Sequence, residues 1–186
     1  MPTLIALSGS LRKASYNTAL LRHAEGLAPA GWTVQTHTLH GIPLYDGDLE
    51  AQGMPESVQQ LQDLILAADG LLISTPEYNN SIPGVLKNGL DWLSRPASGG
   101  RKTFAGKHVA VIGATPGGFG TIQAQDAMLS VLRQQGAQAW FGGRLLVSKA
   151  HTLLDADGRF SDAGLEQQLR DFLAGFCAHI AAAPAR

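Results

Sequence analysis

The sequence predicts a single α/β domain built on a parallel sheet with helices covering both faces. Short apolar runs alternate with longer helical patterns from one end of the chain to the other. The first run, Thr3–Leu7, has no polar alternation, as expected of a strand buried on both sides. At 186 residues, 45% apolar and 16% charged, the chain is long enough for one globular domain and short for two.

The elements follow in order. Thr3–Leu7 is the first strand, and Asn17–Ala28 a helix with Ala19, Leu20, His23, Ala24 and Leu27 along one stripe. Thr33–Leu39 alternates like a second strand. Pro55–Ala68 carries Val58, Leu61, Leu64, Ile65 and Ala68 at helical spacing. Gly70–Thr75 is a third strand and Pro83–Leu93 a third helix. His108–Ala114 is a fourth strand, followed by a helix over Ile122–Gln135. Ala137–Val147 is strand-like but broken by Gly142-Gly143, which predicts a short or split fifth strand. Glu166–Ala182 closes the chain as an amphipathic helix. Three connections are long: Leu39–Met54, Arg95–Gly106 and Ser148–Gly164.

Composition narrows the function. Fourteen Lys and Arg against fifteen Asp and Glu leave no net field to recruit nucleic acid or an anionic membrane, so neither is expected as a partner. No stretch approaches the ~20 apolar residues of a membrane helix, and the N-terminus lacks the basic region of a signal peptide. The one cysteine, Cys177, fits a reducing compartment, so a cytoplasmic protein is expected.

In a doubly wound sheet of order 2-1-3-4-5, ligands bind beyond the carboxyl ends of the strands, between the first and third. The loops after the first, third and fourth strands are therefore the places to look. Ser8–Thr18 opens a helix, whose free N–H groups suit an anion, and Arg12 adds a planar cation. The loop has neither G-x-x-x-x-G-K-[ST] nor G-x-G-x-x-G, so one terminal phosphate fits better than a pyrophosphate. A Ser/Asn-capped helix carrying an incidental Arg is the competing reading. Thr75–Gly84 is a turn bracketed by Pro76 and Pro83, suited either to meeting a planar heterocycle edge-on or to being an ordinary Asn-rich turn. Ala114–Thr121 carries paired glycines that permit close backbone approach, and a plain surface loop is the alternative.

The segments Gly9-Ser10-Leu11-Arg12-Lys13-x-Ser15-x-Asn17 and Pro76-Glu77-Tyr78-Asn79-x-Ser81-x-Pro83-x-x-Leu86-Lys87-Asn88-x-x-Asp91-Trp92 together resemble the NADPH-dependent FMN reductase family. Within it they are nearest to bacterial quinone and chromate reductases and azoreductases. The resemblance runs from the first strand through the fourth, and the C-terminal third matches in architecture only. It implies a flavodoxin-like three-layer sandwich with bound FMN and NAD(P)H as cosubstrate. Carried over, it implies that Ser10, Arg12, Ser15 and Asn17 hold the FMN phosphate, with Tyr16 and Thr18 beside them. It implies that Pro76, Glu77, Tyr78 and Asn79 meet the isoalloxazine edge, chiefly through backbone groups. Thr115, with Gly117 nearby, would lie by the ring or ribityl chain. The family also implies a small-molecule electron acceptor such as a quinone, chromate, an azo compound or free flavin, and a homodimer or homotetramer. A non-catalytic electron carrier and a nucleotide- or partner-binding module without flavin are the alternatives.

Hydride transfer to a flavin requires no protein acid–base pair, so no catalytic side chain and no metal is expected. His37 and His40 straddle a strand end without a ligand set. Asp46–Glu50 and Asp155–Gly158 have their glycines misplaced for a calcium loop and read as solvated turns. Cys177 sits on an apolar helix face as filler. Trp92 and Met128 read as core or interface, and Lys87–Asp91 as a weak i,i+4 pair.

Overall fold

A computed structural model describes residues 1–96, 103–155 and 157–184. Residues 97–102 of the Arg95–Gly106 connection and Ala156 of the Asp155–Gly158 turn lie outside the described residues.

The run of apolar residues in β1 (Thr3–Ser8) makes it the centre of the sheet, because both of its faces are buried. It pairs in parallel with β2 (Thr33–Thr38) from Thr3↔Thr33 to Ser8↔Thr38, and with β3 (Gly70–Ser74) from Leu4↔Gly70 to Ser8↔Ser74. β4 (His108–Ala114) pairs with β3 from Gly70↔His108 to Ser74↔Ile112. With β5 at Gln138–Ala139, the strand order is β2-β1-β3-β4-β5, the order expected of a flavodoxin-like sandwich. Side-chain alternation divides the core in two. Leu4, Ala6, Leu72, Ala110 and Ile112 pack with α1 (Tyr16–Gly26) and α6 (Ala163–Ala181). Ile5, Leu7, Leu71, Ile73 and Val109 pack on the opposite face with α3 (Glu56–Ala67), α4 (Gly84–Leu93) and α5 (Ile122–Gln134). Trp92 and Met128 are fully buried. Cys177 is buried too, and desolvation pushes its thiol up to about 12, far from a nucleophile's range.

The fifth strand is split. β5 (Gln138–Ala139) pairs with the start of β4, and β6 (Leu146–Val147) pairs with its end. Trp140 explains the gap. Its ring turns inward and meets Phe172 edge-on at 5.0 Å, with Phe176 at 5.4 Å. The backbone must then pass around it. A Cβ on Gly142 would lie 2.6 Å from Trp140 Nε1, and one on Gly143 would lie 2.8 Å from the same ring.

Helix ends differ from the expected ones where capping residues overrule periodicity. Ser15 caps α1, which therefore begins at Tyr16, and the helix ends at Gly26, with the Leu27 N–H donating to the Ala24 carbonyl. Asp162 caps α6 through the Leu165 N–H, so that helix begins at Ala163, three residues before Glu166. The Asp46–Glu50 segment is not only a turn. Asp46 Oδ1 accepts the Asp48 N–H at 2.8 Å and caps a short helix, α2 (Gly47–Gln52). Near Asp157, Asp155 Oδ1 accepts from the N–H groups of Asp157 and Arg159. The Lys87–Asp91 pair forms at 2.7 Å on the exposed face of α4.

Gly113 marks the tightest approach beside β4. A Cβ there would fall 2.0 Å from Thr121 Oγ1 and 2.4 Å from the Thr75 carbonyl oxygen. The Gly113→Ala variant is expected to lose about 2–3 kcal/mol through overpacking, and its thermal midpoint should fall by roughly 5–10 °C in a calorimetric scan. An unchanged midpoint contradicts this account.

Candidate active site

The cleft forms where the chain leaves β1, β3 and β4 at their carboxyl ends. In the first loop, the Gly9 N–H donates to the Ser74 carbonyl at 2.8 Å. A Cβ on Gly9 would lie 2.9 Å from Leu86 Cδ2 and 3.3 Å from Pro76 Cδ, so glycine lets the first and second loops meet. Ser8 Oγ and Thr18 Oγ1 are bonded at 2.8 Å. The Ser10 N–H donates to Ser8 Oγ, the Arg12 N–H to Ser10 Oγ and the Thr18 N–H to Ser15 Oγ. Among the described residues, the N–H groups of Tyr16 and Asn17 at the start of α1 have no acceptor. The Arg12 guanidinium stands 4.8 Å from the centre of the Tyr16 ring and has no carboxylate partner among the described residues. Two positive features thus converge without a protein anion between them. His40 braces the loop tip, with Nε2 3.1 Å from the Leu11 carbonyl oxygen and Nδ1 2.9 Å from Thr38 Oγ1.

Asn17 joins the loops. Its Oδ1 accepts from Ser74 Oγ at 2.8 Å and from the Ala114 N–H at 2.9 Å, while Nδ2 donates to the Ala114 carbonyl at 2.9 Å. Toward the cleft Asn17 thus offers its backbone N–H and one remaining amide hydrogen.

The second loop begins with the Thr75 N–H donating to Ile112 O and Thr75 Oγ1 donating to Pro76 O. Tyr78 and Ser81 then exchange backbone hydrogen bonds of 3.0 and 3.1 Å across a two-residue turn. Asn79 and Asn80 both take positive φ, 51° and 59°, as such turns require, and asparagine tolerates this conformation well. The Glu77 carboxylate does something its sequence neighbours do not suggest. Its Oε2 accepts the N–H groups of Gln123 (2.8 Å) and Ala124 (3.1 Å), capping α5, where Thr121 makes no side-chain cap bond. The Glu77 N–H stays without an acceptor among the described residues. In the third loop, Thr115 is fixed at both backbone groups, to Val147 O and the Ala150 N–H. Its hydroxyl accepts the Gly117 N–H at 3.3 Å and keeps its own proton to donate.

One cleft of about 320 Å³ is lined by Ser10, Arg12, Ser15, Tyr16, Asn17, Pro76, Glu77, Tyr78 and Thr115, together with Ala114 and Pro116. Three residues singled out with them do not line it. Thr18 is buried behind the first loop against Ser8, Asn79 is occupied with the turn, and Gly117 is spent on the Thr115 hydroxyl and Lys149. The volume suits a small cofactor. Unpaired N–H groups and Arg12 stand at one end, where a single phosphate fits, and the Pro76–Tyr78 backbone and Thr115 border the rest. The donor set matches a flavin mononucleotide. Among the described residues, no three His, Cys, Asp or Glu side chains gather as a metal site.

The family model for NADPH-dependent FMN reductases matches residues 2–152. The chain belongs to this family. An NAD(P)H-dependent FMN reductase of Pseudomonas aeruginosa is 42% identical over 159 residues, covering 86% of this chain and 84% of that protein. A 2-hydroxy-1,4-benzoquinone reductase of Burkholderia is 35% identical over 172 residues, 92% of each. The solved structure of FerB, a flavoenzyme NAD(P)H:(acceptor) oxidoreductase of Paracoccus denitrificans, superposes with a TM-score of 0.85 at 35% identity, covering 97% of this chain and 98% of FerB. FMN and NAD(P)H are therefore the cofactor and cosubstrate of this FMN reductase family member.

Two substitutions test the framework. Asn17→Asp puts a carboxylate oxygen against the Ala114 carbonyl and is expected to cost about 2–4 kcal/mol. Burial raises such an acid above its unfolded value, so the variant should be least unstable in acid and lose stability as pH rises past the ordinary Asp range. Urea melts at several pH values check both the size and the sign. Glu77→Gln keeps an acceptor but removes the charge at the α5 N-terminus, and a loss of about 1 kcal/mol is expected in the same assay.

Proposed function

We propose that this chain is an NAD(P)H-dependent reductase that holds FMN in the cleft and delivers electrons to a small acceptor such as a quinone, chromate, an azo compound or free flavin. The observation that supports this most is the meeting of two sequence segments more than fifty residues apart in one cleft, with a guanidinium at its anion end that has no carboxylate partner among the described residues. Bound there, FMN supplies the hydride acceptor and the two-electron donor of the reaction. The chain supplies binding and orientation. Arg12, Ser10, Ser15 and the first N–H groups of α1 would hold the phosphate. The Glu77 N–H, the Pro76–Tyr78 backbone and the Thr115 hydroxyl would hold the ring and ribityl chain. Tyr78, 52% exposed, stands at the mouth, where nicotinamide and acceptor enter. Positioning is the protein's main contribution to rate, and one mouth serving both partners leads to ping-pong kinetics.

The reading extends to assembly and location. Phe141, 74% exposed, borders an apolar groove formed by α5 and the β5–β6 break, which supports a homodimer or homotetramer. No described helix is long and apolar enough to cross a membrane, and a single buried cysteine suits the cytoplasm.

Arg12→Ala removes a charge-assisted contact of roughly 1.5–3 kcal/mol. FMN affinity should fall about ten- to a hundredfold, read by fluorescence titration of the folded variant. Unchanged affinity removes Arg12 from the site. A wild-type protein that takes up no FMN and oxidises no NAD(P)H defeats the whole reading.

A further inference from the structure

Strand register places His40 beside the first loop. Ser8 at the end of β1 pairs with Thr38 at the end of β2, so the chain leaving β2 runs next to the chain leaving β1. The His40 ring bridges the two. A carbonyl oxygen can only accept, so Nε2, 3.1 Å from the Leu11 oxygen, carries the hydrogen. In the neutral ring Nδ1 is then the acceptor, and it takes the Thr38 hydroxyl at 2.9 Å. The carbonyl fixes the tautomer, and the Thr38 hydroxyl steadies the ring.

This bond acts on both halves of one peptide group. The Leu11 carbonyl and the Arg12 N–H belong to the same planar unit. His40 holds its oxygen, and its N–H donates to Ser10 Oγ at 3.3 Å. Rotating the unit would break both bonds, so Arg12 leaves the backbone in a fixed direction, and its guanidinium stands 4.8 Å from the centre of the Tyr16 ring. Ser10 Oγ, already accepting from Arg12, keeps its own hydrogen to donate, with no acceptor among the described residues. Arg12 and Ser10 line the anion end of the cleft, whereas His40 does not line it. Without His40 the peptide group is pinned at its N–H alone, and Arg12 and the Ser10 hydroxyl gain positions that do not meet a phosphate.

We infer that His40 is a positioning residue for the phosphate of the bound flavin: it fixes the Leu11–Arg12 peptide group, and through it Arg12 and the Ser10 hydroxyl, without touching the ligand. The inference rests on the cleft being a flavin site.

Fluorescence titration of the flavin-free protein with FMN and with riboflavin tests it, because the two flavins differ only in the phosphate. His40→Ala should weaken FMN binding by about three- to tenfold and leave riboflavin within about twofold of wild type. His40→Gln, whose amide nitrogen reaches the place of Nε2, should restore FMN affinity to within about twofold. His40→Asn, whose amide nitrogen stands near Nδ1 and stops short of Leu11, should behave like His40→Ala. Added to Arg12→Ala, His40→Ala should cost less than about twofold further, since the side chain it positions is gone. The ring is exposed, so the variants should fold. Equal weakening of FMN and riboflavin, unchanged FMN affinity, no rescue by Gln, or a full further loss on top of Arg12→Ala would each overturn the assignment. A wild-type protein that binds neither flavin removes the flavin reading and this inference with it. Wild type that binds both, with His40 variants that do not distinguish them, removes this inference alone.

Discussion

The side-chain amide of Asn17 meets β3 and β4 at their carboxyl ends. It accepts from Ser74 Oγ and the Ala114 N–H and donates to the Ala114 carbonyl, all between 2.8 and 2.9 Å and all buried. Because Asn17 sits in the first turn of α1, the same residue fixes the helix N-terminus to the two strands whose loops form the opposite wall. Buried amides bonded at both ends are held tightly, since any displacement leaves polar groups unsatisfied in a low-dielectric interior. One side chain thereby ties the anion end of the cleft to the strands that carry its opposite wall.

Glu77 and Gly9 extend this framework. Gly9 lets the first loop touch Pro76, and Glu77 anchors the second loop to the start of α5, forty-six residues away. The result is a cleft whose wall positions derive from the sheet, bordered by groups that have no internal hydrogen bond among the described residues: the Arg12 guanidinium, the Tyr16 and Glu77 N–H groups and the Thr115 hydroxyl proton. Preorganised donors of this kind need little rearrangement when a cofactor enters.

Much of this was legible in the sequence because it depends on local patterns. Apolar runs identify the central strands, and the break at Gly142-Gly143 foretells the divided fifth strand, although only the structure reveals the Trp140 ring that requires it. The loops after β1 and β3 stand out by composition, and nine of the twelve residues nominated from sequence line one cleft. What escaped is long-range. The cap that Glu77 places on α5 and the bonds from Asn17 to Ala114 join residues far apart in the chain, and no spacing rule encodes them. Helix α2 was missed for a different reason: its six residues have no buried face to produce periodicity, and only the Asp46 cap announces it.

The divided strand beside β4 also shapes how the molecule behaves toward its own kind. A continuous outer strand would present an unbroken row of amide and carbonyl groups, a template on which another chain could zip up. Here that border is two dipeptides separated by a detour around an indole, so an incoming strand finds no stretch long enough to lock into register. The indole that packs against the core thus guards this margin of the sheet against fibrous growth.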